Sequence, residues 1–312
     1  MTDDNNDFDI SHIVIDNQGL GSSDWGYTRT KCKSYSIRSI HISNKLSIIH
    51  INARSIKNKF DDIQTFLTIS GVDWTCVCIS ETWLKDELLQ YFEIENYNLF
   101  ASCRSDGEGG GAAIYVNKKY ESKARPDLSC TELQSIFVEI KLNTSNIVPN
   151  IIIGEIYRPP NFANIQFLEY LETAVNVIEK ENKICAIAGD FNYNLLNLNG
   201  DKHAMSFLHL MNSYGFIPSI TLATRTQKDN SSLLDNIFVN DWSLVNKAGI
   251  VIEDLSDHFP VFLSLYLNEN KAHSRTERVI FDKRKVDELN SYLMCKLNNI
   301  FPLQIQMKHA NS

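Results

Sequence analysis

Short apolar runs with strand character punctuate the chain from residue 46 onward. They fall at 46–52 (LSIIHIN), 74–80 (WTCVCIS), 111–116, 134–141 (QSIFVEIK) and 151–157 (IIIGEIY), and again at 184–189 (ICAIAG), 234–239 (LDNIFV), 248–252 and 260–267. Each is four to eight residues of mostly β-branched or aromatic type bounded by polar residues, which predicts strands rather than helices. Helical spacing lies between them. Phe60, Ile63, Phe66 and Leu67 form one apolar stripe, Leu168, Leu171, Val175 and Ile178 a second, and Met205, Leu208 and Met211 a third. Strands and helices interleave, yet 111–116, 134–141 and 151–157 follow one another with no helix between. That favours an α/β fold with mixed sheets over a purely parallel, doubly wound one.

The flanks differ from this body. Residues 1–45 are polar, without sustained periodicity, and predict a loosely ordered leader. Residues 268–312 are basic and carry one amphipathic helical pattern at about 285–300 (Val286, Leu289, Leu293, Leu297), the character of a linker. A body of 46–267 is long enough for one large domain. No run approaches the length of a membrane span, and MTDDNNDFDI has no signal-like apolar segment, so an intracellular protein without a membrane partner is expected. The seven cysteines are scattered, with no paired metal-ligand spacing, and read as buried thiols of a reducing compartment.

Net charge is −8, which by itself speaks against bulk electrostatic binding of nucleic acid. The body holds 17 basic and 27 acidic residues, while 268–312 holds eight basic and five acidic ones. An acidic body suits an enzyme on polyanions if divalent metal offsets charge at its site, but also suits many small-molecule enzymes.

Candidate chemistry collects at strand ends. Asn52 ends the first run and Glu81 follows the second. Tyr157 and Arg158 end the fifth, and Asp190 and Asn192 follow the sixth. Asp235 opens the next, and Asp257–His258 precede the last. Glu81 and an aspartate offer the hard oxygen ligands magnesium takes. His258 offers an imidazole whose tautomer a carboxylate such as Asp235 would fix. Asp190 and Asn192, two apart, would share a face on an extended segment, an acceptor for a water beside an amide donor. A nucleophile, a metal and donors to a pentacoordinate phosphorus are the parts of phosphodiester hydrolysis. Singly, each motif is also a turn or a cap.

The ordered series INARS, SETWL, GGGAAIYV, IYRPP, GDFN, SLLDNIF and SDHFPV resembles the endonuclease/exonuclease/phosphatase superfamily, and more narrowly the endonuclease domains of non-LTR, LINE-type retrotransposons of the jockey and CR1 kind. The resemblance spans roughly 46–267. It implies a DNase I-like four-layer α/β sandwich of two mixed sheets flanked by helices. It also implies Mg²⁺-dependent nicking of double-stranded DNA (Mn²⁺ substituting) that leaves a 3′-hydroxyl to prime reverse transcription. By the same resemblance Asn52 and Glu81 are the metal pair, with Glu81 the main ligand. Tyr157, Asp190, Asn192, Asp235, Asp257 and His258 are the catalytic set, and Arg158, Thr224 and Ser232 lie against DNA. A loop at 224–231 is the candidate for minor-groove contact. A reverse transcriptase partner domain and nuclear action follow from the same likeness. Abasic-site repair enzymes of the superfamily carry aspartate two residues after the first asparagine. Here that residue is Arg54, which favours the retrotransposon form. The scaffold also serves small or lipid phosphoesters, and a non-catalytic nucleic-acid-binding remnant is the other alternative. Every expected catalytic residue type is present, which argues against the remnant.

Overall fold

The computed structural model describes residues 32–42, 45–104, 109–142, 150–198, 200–227 and 230–266. The leader up to residue 31 and the predicted helix at 285–300 lie outside them. Two mixed sheets dominate. The first has the order β1 (Cys32–Tyr35), β14 (Val245–Val251), β15 (Val261–Leu265), β2 (Leu46–Asn52), β3 (Cys76–Ser80), β5 (Ala112–Asn117) and β4 (Tyr97–Ser102). The second has the order β10 (Ile217–Pro218), β13 (Asp235–Val239), β9 (Ile184–Asp190), β8 (Ile151–Tyr157), β7 (Ser135–Lys141) and β6 (Glu121–Ala124). A separate hairpin joins β11 (Arg225–Gln227) to β12 (Asn230–Ser232).

Each sheet has one parallel pair at its centre, β2–β3 and β8–β9, flanked by antiparallel neighbours β15 and β5, or β13 and β7. Helix α1 (Phe60–Ser70) buries Ile63 and Phe66 with Ile49, Ile51, Val77 and Ile79 on the outer face of the first sheet. Helices α2 (Asn164–Lys180) and α3 (Lys202–Ser213) bury Phe167, Leu171, Val175, Phe207 and Met211 in the cluster that also fills the space between the sheets. The result is the four-layer α/β sandwich the motif series implied. β2 and β8 are buried along their whole length, which accounts for their near-continuous apolar runs.

One boundary moves. Cys32–Tyr35, placed in the leader by its polar composition, is an edge strand parallel to β14, and Ile37 and Ile40 join the core behind it. An edge strand is held by backbone ladder bonds, so a polar sequence such as CKSY gives no apolar signal. Among the described residues no helix is long and apolar enough to cross a membrane. Cys32, Cys76, Cys78 and Cys185 are buried free thiols.

Candidate active site

The topology gathers the strand-end residues at one edge. The C-terminal ends of the parallel strands β2, β3, β8 and β9 bring Asn52, Glu81, Tyr157 and Asp190. The N-terminal starts of their antiparallel neighbours β13 and β15 bring Asp235 and His258 to the same edge. In register, Tyr157 lies beside Asp190, and Asp190 beside Asp235.

The centre of the set is one amide. Asn52 Nδ2 donates to Glu81 Oε1 at 2.9 Å and to Asp190 Oδ2 at 2.8 Å. Two carboxylates therefore converge on one neutral donor. Asn52 Oδ1 is occupied by the Arg54 backbone N–H at 3.0 Å. Glu81 Oε2 accepts from Trp83 Nε1 at 3.3 Å. Glu81 and Trp83 both have positive φ, 50° and 54°. Strain of that kind in large side chains is tolerated only where the surroundings over-determine it. Here they do: Trp83 N–H donates to Gly110 O at 2.8 Å, and Gly111 N–H donates to Gln134 Oε1 at 2.7 Å. A Cβ on Gly111 would stand 2.4 Å from Thr82 Oγ1, so the GGG run is needed for this close packing.

Beside it stands a carboxylate–imidazole dyad. His258 Nδ1 meets Asp235 Oδ2 at 2.7 Å, leaving Nε2 for the site, and Thr224 Oγ1 donates to the same oxygen at 2.6 Å. Burial would lower His258, but Asp235 outweighs it and raises the imidazole pKa. Burial would likewise raise Asp235, yet His258 and His50 hold it below the usual carboxylate range. Asp190 is raised, by burial first and by Asp235 next, which gives it the basicity a proton acceptor needs. Asp190, Asp235 and His258 have ligand atoms within 4.8 Å of one another. Both Asp235 oxygens face histidines, and both Asp190 oxygens accept from Asn52 and Asn192, whereas the second Glu81 oxygen has only the long 3.3 Å contact from Trp83. Glu81, backed by Asn52, is thus the hard oxygen donor that fits a divalent cation such as magnesium.

Tyr157 is 8% exposed, and burial, Glu81 and Asp190 all raise its pKa, so its hydroxyl stays a donor beside the carboxylates. Ser256, which the motif reading passed over, ties the SDH turn to the site. Its Oγ donates to Asn52 O at 2.7 Å and accepts from His258 N at 3.0 Å.

Four expectations change. Arg158 is withdrawn from the surface: it is 6% exposed, its guanidinium lies 4.2 Å from the Tyr193 ring centroid, and Nη2 donates to Phe162 O. It follows Tyr157 directly, and successive strand residues point to opposite sides. Thr224 is fully buried at the root of the hairpin and anchors Asp235 rather than a bound strand. Asn192 is not on an extended segment. Its φ is 51°, set by its N–H donating to Asp190 Oδ1 at 3.0 Å, and its Nδ2 donates to Arg158 O. Asp257, adjacent to His258, points the other way, its Oδ2 accepting from Arg54 Nη1 at 2.9 Å and Arg225 Nη2 at 2.6 Å. Ser232 is partly buried opposite Arg225 in the hairpin. The stretch read as a loop at 224–231 is that hairpin, apart from residues 228–229, which lie outside the described set.

Residues 49–258 match the Endonuclease/Exonuclease/phosphatase family. No curated protein matches the sequence. Among solved structures, the endonuclease domain of TRAS1, a telomere-specific non-LTR retrotransposon, superposes with a TM-score of 0.56 at 16% identity, covering 72% of this chain and 99% of that one. The AP endonuclease LMAP of Leishmania major gives a TM-score of 0.62 at 12% identity, covering 80% and 97%. A mannosyl-6-phosphatase of Bacteroides thetaiotaomicron gives 0.50 at 14%, covering 71% and 100%. At these identities the likeness is one of fold. The family match spans most of the chain and runs from β2 to His258, taking in each strand end that carries the site, so the protein belongs to the Endonuclease/Exonuclease/phosphatase family and has the fold of its hydrolases.

Proposed function

We propose that this protein is a Mg²⁺-dependent DNA endonuclease that hydrolyses one phosphodiester bond of a duplex and leaves a 3′-hydroxyl, as the endonuclease domain of a non-LTR retrotransposon does. The observation that carries the reading is the Asn52 amide shared by Glu81 and Asp190 beside the Asp235–His258 dyad. That is a complete set of parts for attack of water on phosphorus.

Magnesium held by Glu81, with Asn52 and Asp190 behind it, would supply a positive charge against the phosphoryl oxygens. The chain's own groups do the rest. Asp190, raised by burial, orients the attacking water and takes its proton as the oxygen bonds phosphorus. His258, kept in one tautomer by Asp235, directs Nε2 at a phosphoryl oxygen. The Tyr157 hydroxyl donates to the same group. The P–O3′ bond breaks, the leaving oxygen takes up a proton from solvent and Asp190 releases its own to solvent, giving the 3′-hydroxyl and a 5′-phosphate.

The choice of DNA over a small phosphoester is supported by the rim. Arg54 and Arg225 flank Asp257 at the mouth, and the Arg54 side chain is 55% exposed. Guanidiniums at the rim suit the recognition of a backbone phosphate. The hairpin β11–β12, rooted by Thr224, is the element we assign to groove contact. Action on chromosomal DNA would be nuclear, in company with a reverse transcriptase.

The test is a comparison of substrates. The protein is expected to nick supercoiled plasmid with Mg²⁺, to stop with EDTA, and to leave bis(p-nitrophenyl) phosphate almost untouched. Faster turnover of the small ester than of plasmid would instead favour a small-molecule phosphoesterase.

A further inference from the structure

Two buried ionisable residues lie behind the site and take no part in the chemistry just described. His50 and Glu155 are both fully buried. His50 is two residues before Asn52 on β2, and Glu155 is two before Tyr157 on β8, so each shares a strand face with a site residue, one pleat further inward. His50 Nδ1 meets the Glu155 carboxylate at 3.1 Å, and His50 Nε2 meets Asp235 Oδ1 at 3.2 Å. Asp235 Oδ2 meets His258 Nδ1 at 2.7 Å. Glu155, His50, Asp235 and His258 thus form one continuous chain that crosses the space between the sheets and ends at the site.

On the same strand faces stand Leu46, Ile48 and Ile153, and the buried thiol Cys78 lies beside His50 on β3. Replacing such a buried ionic chain by well-packed apolar side chains is often neutral or stabilising, so stability alone gives little reason for it. Its geometry gives a better one. With His50 donating to Oδ1, and His258 and Thr224 occupying Oδ2, the Asp235 carboxylate has one orientation. Glu155 in turn fixes the His50 ring. Removing His50 frees Oδ1 and lets the carboxylate turn away from His258.

We propose that His50, locked by Glu155, is a positioning residue that holds Asp235 so that His258 presents Nε2 to the phosphoryl group. The proposal rests on the hydrolytic reading above, and its test separates the two. In the full chain, His50→Gln and His50→Asn are compared with Glu155→Gln, after circular dichroism has shown which variants fold. The downfield ¹H resonance of His258 Nδ1–H, assigned by its loss in His258→Ala, is followed without any substrate. It is expected to move or broaden away in the His50 variants and to shift less in Glu155→Gln. On plasmid, kcat is expected to fall about 10–100-fold with KM unchanged, the usual scale for a group one shell behind a site. In the His258→Ala background the same substitution should cost almost nothing more.

An unmoved His258 proton in a folded His50 variant overturns the proposal. So do an unchanged kcat or losses that multiply in the double variant. If wild type never nicks but the proton moves as expected, the positioning stands and the endonuclease reading falls.

Discussion

At the scale of single residues, neighbours in sequence have opposite duties, because the chain alternates its sides as β8 ends at Tyr157 and because the SDH turn sends Asp257 and His258 apart. Tyr157 faces the carboxylates while Arg158 stacks on Tyr193, and His258 faces Asp235 while Asp257 faces Arg54 and Arg225. A motif gives residue type but not direction, which is why the resemblance put Arg158 against DNA. The two kinds of arginine separate in experiment. Arg158→Ala is expected to lower stability by about 1–3 kcal/mol through lost packing and to leave the salt dependence of DNA binding alone. Arg54→Ala and Arg225→Ala should each flatten the slope of log K against log salt by about 0.9, the value of one phosphate contact. Filter binding or fluorescence anisotropy between 50 and 200 mM salt reads both, the range being about that over which such contacts show. For chemistry, Glu81→Ala and His258→Ala are expected to reduce kcat by about 10²–10⁴-fold, the scale of a lost acid–base or charge-stabilising group. Near-wild-type nicking by Glu81→Ala would refute the metal assignment.

At the scale of elements, hydrophobic periodicity located nine strands and three helices to within a few residues, because buried strands and amphipathic helices must carry that signal. It passed over β1, β4, β6, β10, β11 and β12; most are short or polar, and β4 (YNLFAS) is an edge strand whose apolar residues are only partly buried. Most site residues were legible because polar groups closing apolar strands stand out. His50 and Glu155 were not, since each sits inside a run that otherwise reads as core. A lone charged residue within a fully buried strand was the available signal. Asn192 was misread as extended because its left-handed turn depends on a side-chain acceptor two residues back. The GGG loop matters at this scale, since it clamps the strained Glu81–Trp83 turn. Gly111→Ala adds a Cβ 2.4 Å from Thr82 Oγ1 at a φ of +89°. It is expected to cost about 1–3 kcal/mol in thermal or urea unfolding, typical of enforced backbone strain, with a larger loss of nicking than the stability change explains.

At the scale of the whole molecule, two sheets of like topology enclose the core and present their central strand ends together, so site and fold are one construction. Away from the site a second ionic network ties β6, β7 and the end of α2. Arg125 donates to Asp127, Glu139 and Glu181, and Glu139 also accepts from Lys183 at 2.9 Å and Asn150 at 2.7 Å. Burial would raise Glu139, but Lys183 and Asn150 outweigh it and hold its pKa down to about 2, against an ordinary 4.5. A depressed carboxylate contributes stability that is fully present above its unfolded pKa and is lost as pH falls through the folded one. Urea unfolding should therefore show Glu139→Gln less stable than wild type at neutral pH, by about 1–3 kcal/mol for hydrogen bonds to charged groups, with the gap closing between pH 4.5 and 2. The central claim concerns the strand-end site, and end-mapped plasmid nicking tests it most directly. With Mg²⁺ the protein is expected to convert supercoiled plasmid to open circles whose nicks carry 3′-hydroxyls extendable by a polymerase, with EDTA preventing it and His258→Ala slowing it by about 10²–10⁴-fold. Plasmid left intact across a range of divalent metals and salt, or nicks ending in 3′-phosphates, would contradict it.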